Sequence, residues 1–96
     1  MPVLPLAEVA AALGDPTRWA ILAELSSGEL RMVNEMAKKL GRSSSLISKH
    51  LTMLQRAGMV VNERRLWRVP AQFIASVDKR EMDFGHCVLR LPGAKT

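Results

Sequence analysis

Ser45, Ser48, Lys49 and Thr52 recur at i, i+3, i+4 and i+7, the spacing that puts side chains on one face of a helix. Short hydroxyls can donate to or accept from base edges and phosphates, and a small-residue face lets a helix backbone approach a groove closely. Asp83, His86 and Cys87 form the one cluster of metal-ligand types. Zinc or copper there would draw ligands from both subunits of a dimer. Cys87 and His86 are thus candidates for a redox or ligand role, against the plainer reading of Cys87 as a buried, inert thiol. Little else could do chemistry. The chain has no Gly-rich phosphate loop, no His-Glu-x-x-His and no paired carboxylates in a plausible cleft, and it has two histidines in all. A nucleophile, base and orienter have almost no material to draw on, so the expectation is a non-enzyme with no cofactor.

The charge is placed unevenly. The chain of 96 residues carries a net +5, and residues 42–68 alone hold Arg42, Lys49, Arg56, Arg64, Arg65 and Arg68 against Glu63. Such clustering suits a polyanion, the alternative being a solvated basic face. With 48% hydrophobic and 24% charged residues the chain reads as an ordinary globular protein, one domain in length. No apolar run approaches a membrane span and no secretory signal is visible. A single cysteine excludes an intramolecular disulfide framework and suits a reducing cytoplasm.

The elements that must position the polar face follow from local signals. Leu6, Val9, Ala10 and Leu13 make the stripe of a helix over about 5–13. Asp15 and Pro16 start a second over about 16–26, with Trp19, Ile21, Leu22 and Leu25 spaced for burial. Val33, Met36, Ala37 and Leu40 predict a third over 33–40, ended by Gly41. Ser43 caps a fourth over about 44–57, with Ile47, Leu51 and Leu54 inward and Gly58 at its end. Met59–Val61 and Leu66–Val69 read as a hairpin over about 59–69. Residues 71–91 read as a short helix through Phe73, Ile74 and Val77, then a possible strand, and 92–96 as a frayed tail. The fold class is α+β, mostly helical: one winged helix-turn-helix domain over 1–96 with a short β-hairpin wing. Gly41-Arg42-Ser43 is the three-residue joint. The fourth helix then enters the major groove, and Arg64 and Arg65 at the hairpin tip lie on the flanking backbone or minor groove.

The runs LGDPTRWAILAEL (13–25) and LGRSSSLISKHLTMLQRAGMV (40–60), followed by a wing-like hairpin, resemble the ArsR/SmtB family of winged-helix repressors over about residues 5–70. The resemblance implies a homodimer on double-stranded DNA at an imperfect inverted repeat. It also implies that Ser44, Ser45, Ser48, Lys49 and His50 hold recognition-helix positions, with Arg18 near the backbone. Together with Arg42, Ser43, Arg64, Arg65 and Arg68, these form the expected DNA-contacting set. His50, at the edge of the apolar stripe, also reads as packed and hydrogen-bonded, and Arg18 as solvated. Trp67 is expected to pack on the domain, and Met32, Met36, Met53, Met59 and Met82 to fill core and interface. Met32, Val33 and Asn34 stand where metal sensors of the family carry Cys-Val-Cys, and the C-terminal metal site lacks its residues. The wing has no glycine at its turn, and the family's long C-terminal helix is replaced. The reading is a cytoplasmic, dimeric repressor that does not use the usual metal sites. A winged-helix protein-interaction module is the alternative. Single-strand binding has thin support, since two Phe, two Trp and no Tyr make a poor stacking platform.

Overall fold

The computed structural model describes residues 3–91; the tail expected over 92–96 lies outside them. Helix α1 (Leu6–Ala12) meets α2 (Pro16–Glu24) at a tight corner. Asp15 sets it: its carboxylate accepts from the Thr17 N–H at 2.7 Å, and Pro16 follows at the first helical position. That backbone N–H holds the Asp15 carboxyl below the usual carboxylate range. A depressed folded value means stability present above the unfolded pKa and lost as pH falls through the folded one. Asp15→Asn is therefore expected to flatten the acid side of a plot of melting temperature against pH, read by circular dichroism.

The α1 stripe is rotated from the expected one. Val9 and Ala12 are buried, whereas Leu6 and Ala10 face solvent. Either set satisfies the period over so short a helix, so contacts from the rest of the chain choose between them. Trp19 likewise lies outside, at 45% exposure. Its indole N–H donates to the Leu13 carbonyl at 2.6 Å, and the neighbouring Arg18 Nε donates to the Ala12 carbonyl. Consecutive α2 side chains thus satisfy carbonyls at the α1 C-terminus that have no helical partner.

A two-residue strand, β1 (Arg31–Met32), precedes α3 (Val33–Leu40). Gly41, at φ +64°, ends α3, with Arg42 N–H donating to the Ala37 carbonyl at 3.0 Å. Left-handed backbone of this kind favours glycine. After the joint, α4 (Ser44–Arg56) begins at Ser43, whose hydroxyl accepts from the Leu46 N–H at 3.2 Å. Its buried residues are Ile47, His50, Leu51 and Leu54.

Strands β2 (Val61–Glu63) and β3 (Leu66–Arg68) form the hairpin wing, and β1 adds to β3 to give the order β1-β3-β2. Sequence reading missed β1, because two residues carry no alternation to detect. Beyond Pro70 the expected fifth helix is a single 3₁₀ turn at Ala71–Phe73. From there the chain enters a second antiparallel sheet of β4 (Ile74–Ser76), β5 (Glu81–Asp83) and β6 (Val88–Arg90). The expected C-terminal strand is thus a hairpin that reverses through Phe84–Cys87. Phe84 and Met82 are fully buried, with the Phe84 ring 5.1 Å from that of Phe73. Burial of these two residues docks the sheet on the same apolar cluster that holds Leu22, Ile47, Leu51 and Leu54.

The result is an α+β winged helix-turn-helix architecture. Met36, Met59 and Met82 fill the core as expected, but Met32 and Met53 are exposed. Trp67 is half-buried against the core cluster. No helix among the described residues is long and apolar enough to cross a membrane.

Candidate nucleic-acid interface

The α4 outer face carries Ser45, Ser48, Lys49 and Thr52, all exposed. Burial of Ile47, Leu51 and Leu54 on the opposite side forces this orientation. The Thr52 hydroxyl donates to the Ser48 carbonyl at 3.0 Å, one turn back along the helix. Neither the Ser45 nor the Ser48 hydroxyl has a protein partner among the described residues, and Lys49 forms no ion pair there. These three groups are free to meet an external ligand.

Other members of the expected set have work inside the protein. Ser43 caps α4. Ser44 donates its hydroxyl to the Asn34 side-chain oxygen at 2.7 Å, bracing the first turn of α4 against that of α3. The sequence marked Asn34 only as standing where metal sensors carry a cysteine, and nothing in it pointed to Ser44 as its partner. Arg68 is bound twice to one Glu63 oxygen, by Nη2 at 2.6 Å and Nε at 3.2 Å. This contact holds the Glu63 carboxyl below its ordinary value and raises Arg68 above its own.

Arg18, expected near the DNA backbone or in solvent, and His50, expected at a recognition-helix position or packed and hydrogen-bonded, are buried at 7% and 8% exposure, so the packed reading of His50 is the one observed. Arg18 Nη1 lies 3.1 Å from His50 Nδ1 and 3.3 Å from the Met53 sulfur. A guanidinium only donates, so Nδ1 is the acceptor and a neutral His50 ring carries its proton on Nε2. The Arg18 side chain therefore joins the end of α1 to the middle of α4.

The wing tip is unusual. Arg64 and Arg65 sit at φ +51° and +69° between the paired residues Glu63 and Leu66. Positive φ at both central residues is the type I′ pattern, which favours Asn-Gly and costs a side-chain-bearing residue roughly 1–2 kcal/mol. Both arginines are exposed. A groove of about 330 Å³ runs between wing and helix, lined by Met32, Val33, Asn34, Ser44, Ser48 and Arg65. It makes the α4 face and the wing tip one continuous surface. Arg42, at the joint, is exposed as well.

Residues 13–63, more than half of the chain, match the family described as the helix-turn-helix domain. The chain belongs to that family. No curated protein matches it. In this helix-turn-helix, α3 is the first helix and α4 the second, and such domains serve DNA-binding regulation and are typically not enzymes. Asp83, His86 and Cys87 stand apart from the α4 face. Asp83 accepts from the Gly85 N–H at 2.9 Å, His86 is exposed and Cys87 half-buried. No group of three or more His, Cys, Asp and Glu among the described residues could hold a metal ion.

Proposed function

We propose that this protein is a sequence-specific, dimeric transcriptional repressor of the ArsR type that works without the family's usual metal sites. In this reading α4 enters the major groove of an inverted-repeat operator, with Ser45, Ser48 and Lys49 against base edges and phosphates. The wing reaches the flanking backbone through Arg64 and Arg65, and Arg42 stands beside the joint. Operator occlusion is the mechanism. The observation that carries this is that Ser45, Ser48 and Lys49, on one exposed helix face beside two exposed wing arginines, have no side-chain partner among the described residues. Asn34, at a metal-ligand position of the family's sensors, is spent on Ser44 instead, which supports a repressor with another signal. Arg18 and His50 are positioning residues here, since they hold α4 from behind.

Fluorescence anisotropy with duplex DNA from upstream of the gene, against a scrambled duplex at several salt concentrations, tests this. Tight, sequence-dependent binding is expected. Equal, weak and steeply salt-dependent binding to both duplexes would overturn it and favour an acidic protein partner. Lys49→Ala is expected to weaken binding to every duplex and to lower the salt slope by about one unit, as one lost phosphate contact requires. An unchanged slope removes Lys49 from that role.

The double substitution Arg64→Asn, Arg65→Gly should separate stability from binding. Thermal melting should show a gain of about 1 kcal/mol or more as both left-handed positions relax. Duplex affinity should fall, and the salt slope should drop by about two units. A more stable variant with parental affinity would detach the wing tip from DNA.

A further inference from the structure

We propose that the outer edge of β6 is the surface on which a second copy of this chain docks, the two β6 strands pairing antiparallel about a two-fold axis at Leu89. This deepens the dimer of the proposed function and makes no use of the α4 face.

The hydrogen bonding of the β5–β6 hairpin decides which groups are free. Phe84 N–H donates to the Cys87 carbonyl at 2.8 Å and Leu91 N–H to the Arg80 carbonyl at 3.0 Å. Met82 faces Leu89 between these two pairs. In an antiparallel ladder bonded pairs alternate, so the Leu89 groups turn inward to β5. The N–H and C=O of Val88 and Arg90 then turn outward. Among the described residues no other strand pairs with β6. Beside this edge lies a groove of about 250 Å³ lined by Leu13, Trp19, Leu89, Arg90 and Leu91. Trp19 on one side of it and Val88 on the strand are 45% and 58% exposed.

Self-complementarity identifies the occupant. With the axis at Leu89, Val88 falls opposite the partner's Arg90, and every outward N–H meets an outward C=O. Side chains alternate between faces. On the groove side Leu89 meets the partner's Leu89 and Leu91 meets the partner's Cys87, apolar on apolar, with Trp19 able to cover them. On the other side Arg90 is already held by its own Glu81 at 3.1 Å and faces the uncharged Val88 of the partner. No like charges oppose each other across the seam, and Arg90 is not free to recruit an acidic peptide. Within Val88–Arg90 there is neither the proline nor the bulge that commonly blocks strand pairing.

Sedimentation equilibrium of the full chain at micromolar concentration should show a dimer. Val88→Pro removes an outward N–H without touching the β5–β6 ladder. It should weaken dimerisation by roughly a hundredfold, two symmetry-related bonds being lost, with an unchanged far-ultraviolet spectrum. In a Cys87→Ser background, Leu89→Cys should cross-link on mild oxidation, because non-bonded antiparallel partners stand about 4.5 Å apart at Cα. Arg90→Cys in that background should not cross-link, since its equivalent lies off the axis. A monomeric parent overturns the proposal. So does a dimer that Val88→Pro leaves intact and Leu89→Cys fails to cross-link. Binding of Val88→Pro to a duplex bearing one half-site should persist; a dimer that binds no duplex would overturn the DNA reading and leave this interface standing.

Discussion

Ser48→Glu is expected to lower duplex affinity by roughly a hundredfold or more, with thermal melting within about 0.5 kcal/mol of the parent. Ser48 lies on the exposed face of α4 and lines the groove shared with Asn34, Ser44 and Arg65. A recognition helix works at hydrogen-bonding distance from base edges, so a longer side chain holds the helix out and a carboxylate repels the phosphates on either side. Folding should be indifferent, because glutamate is at least as good a helix former as serine. The Thr52 hydroxyl also bonds the Ser48 backbone carbonyl rather than its side chain, so that contact survives. Ser48→Ala, which keeps the small size and loses the hydroxyl, should retain most non-specific affinity and lose part of the discrimination between duplexes. Anisotropy titrations of both variants check this. Parental affinity in Ser48→Glu would move the docking surface away from α4.

Arg18→Ala carries the second large effect, on stability: a loss of about 3 kcal/mol in urea or thermal unfolding. The substitution leaves the Ala12 carbonyl and His50 Nδ1 without their donor, and an orphaned buried polar group costs about 1–3 kcal/mol. It also opens a cavity against Met53. For a chain of this size that is a large part of the whole folding free energy. Lysine at the same position should recover part of it, since an ammonium lacks the planar fork that meets Ala12 and His50 together. The salt slope of DNA binding separates two roles. A phosphate contact at Arg18 would lower the slope by about one unit and leave folding alone. The buried bridge predicts the reverse: lost stability, some loss of affinity as α4 loses its backing, and an unchanged slope.

Both predictions bear on how far the sequence could be read. The helices were legible because their signals are local. Asp15-Pro16 opens α2, Ser43 opens α4, and Gly41 and Gly58 close α3 and α4 with left-handed backbone. The inward row Ile47, Leu51 and Leu54 then fixes which side of α4 faces out, so Ser45, Ser48, Lys49 and Thr52 could be placed on one exposed face from spacing alone. The basic hairpin was legible for a similar reason, two β-prone runs flanking a short polar turn.

What depended on contacts between distant residues was not legible. Arg18 and His50 are 32 positions apart; the edge of the apolar stripe pointed to a packed, hydrogen-bonded His50, but nothing near either residue marked the other as its partner. An arginine one turn into a helix is ordinarily solvated. Trp19 is spaced like a core residue, yet its indole closes the α1 end from outside. The run from 71 to 91 was expected to be a short helix and a strand, but it forms one 3₁₀ turn and three strands of three residues each. Segments that short have too little period to declare themselves, and their hydrogen bonds exist only once the chain has folded back on itself. By itself, then, the sequence determined the helices, the wing and the polar face of α4, because caps, glycines and the 3.6-residue period act within one turn. The tertiary structure alone decided that Arg18 supports the helix from within, that Ser44 is spent on Asn34, and that among the described residues β6 is left with an open edge. Each of those outcomes is a pairing across the fold, set by which surfaces remain once the apolar faces have been buried.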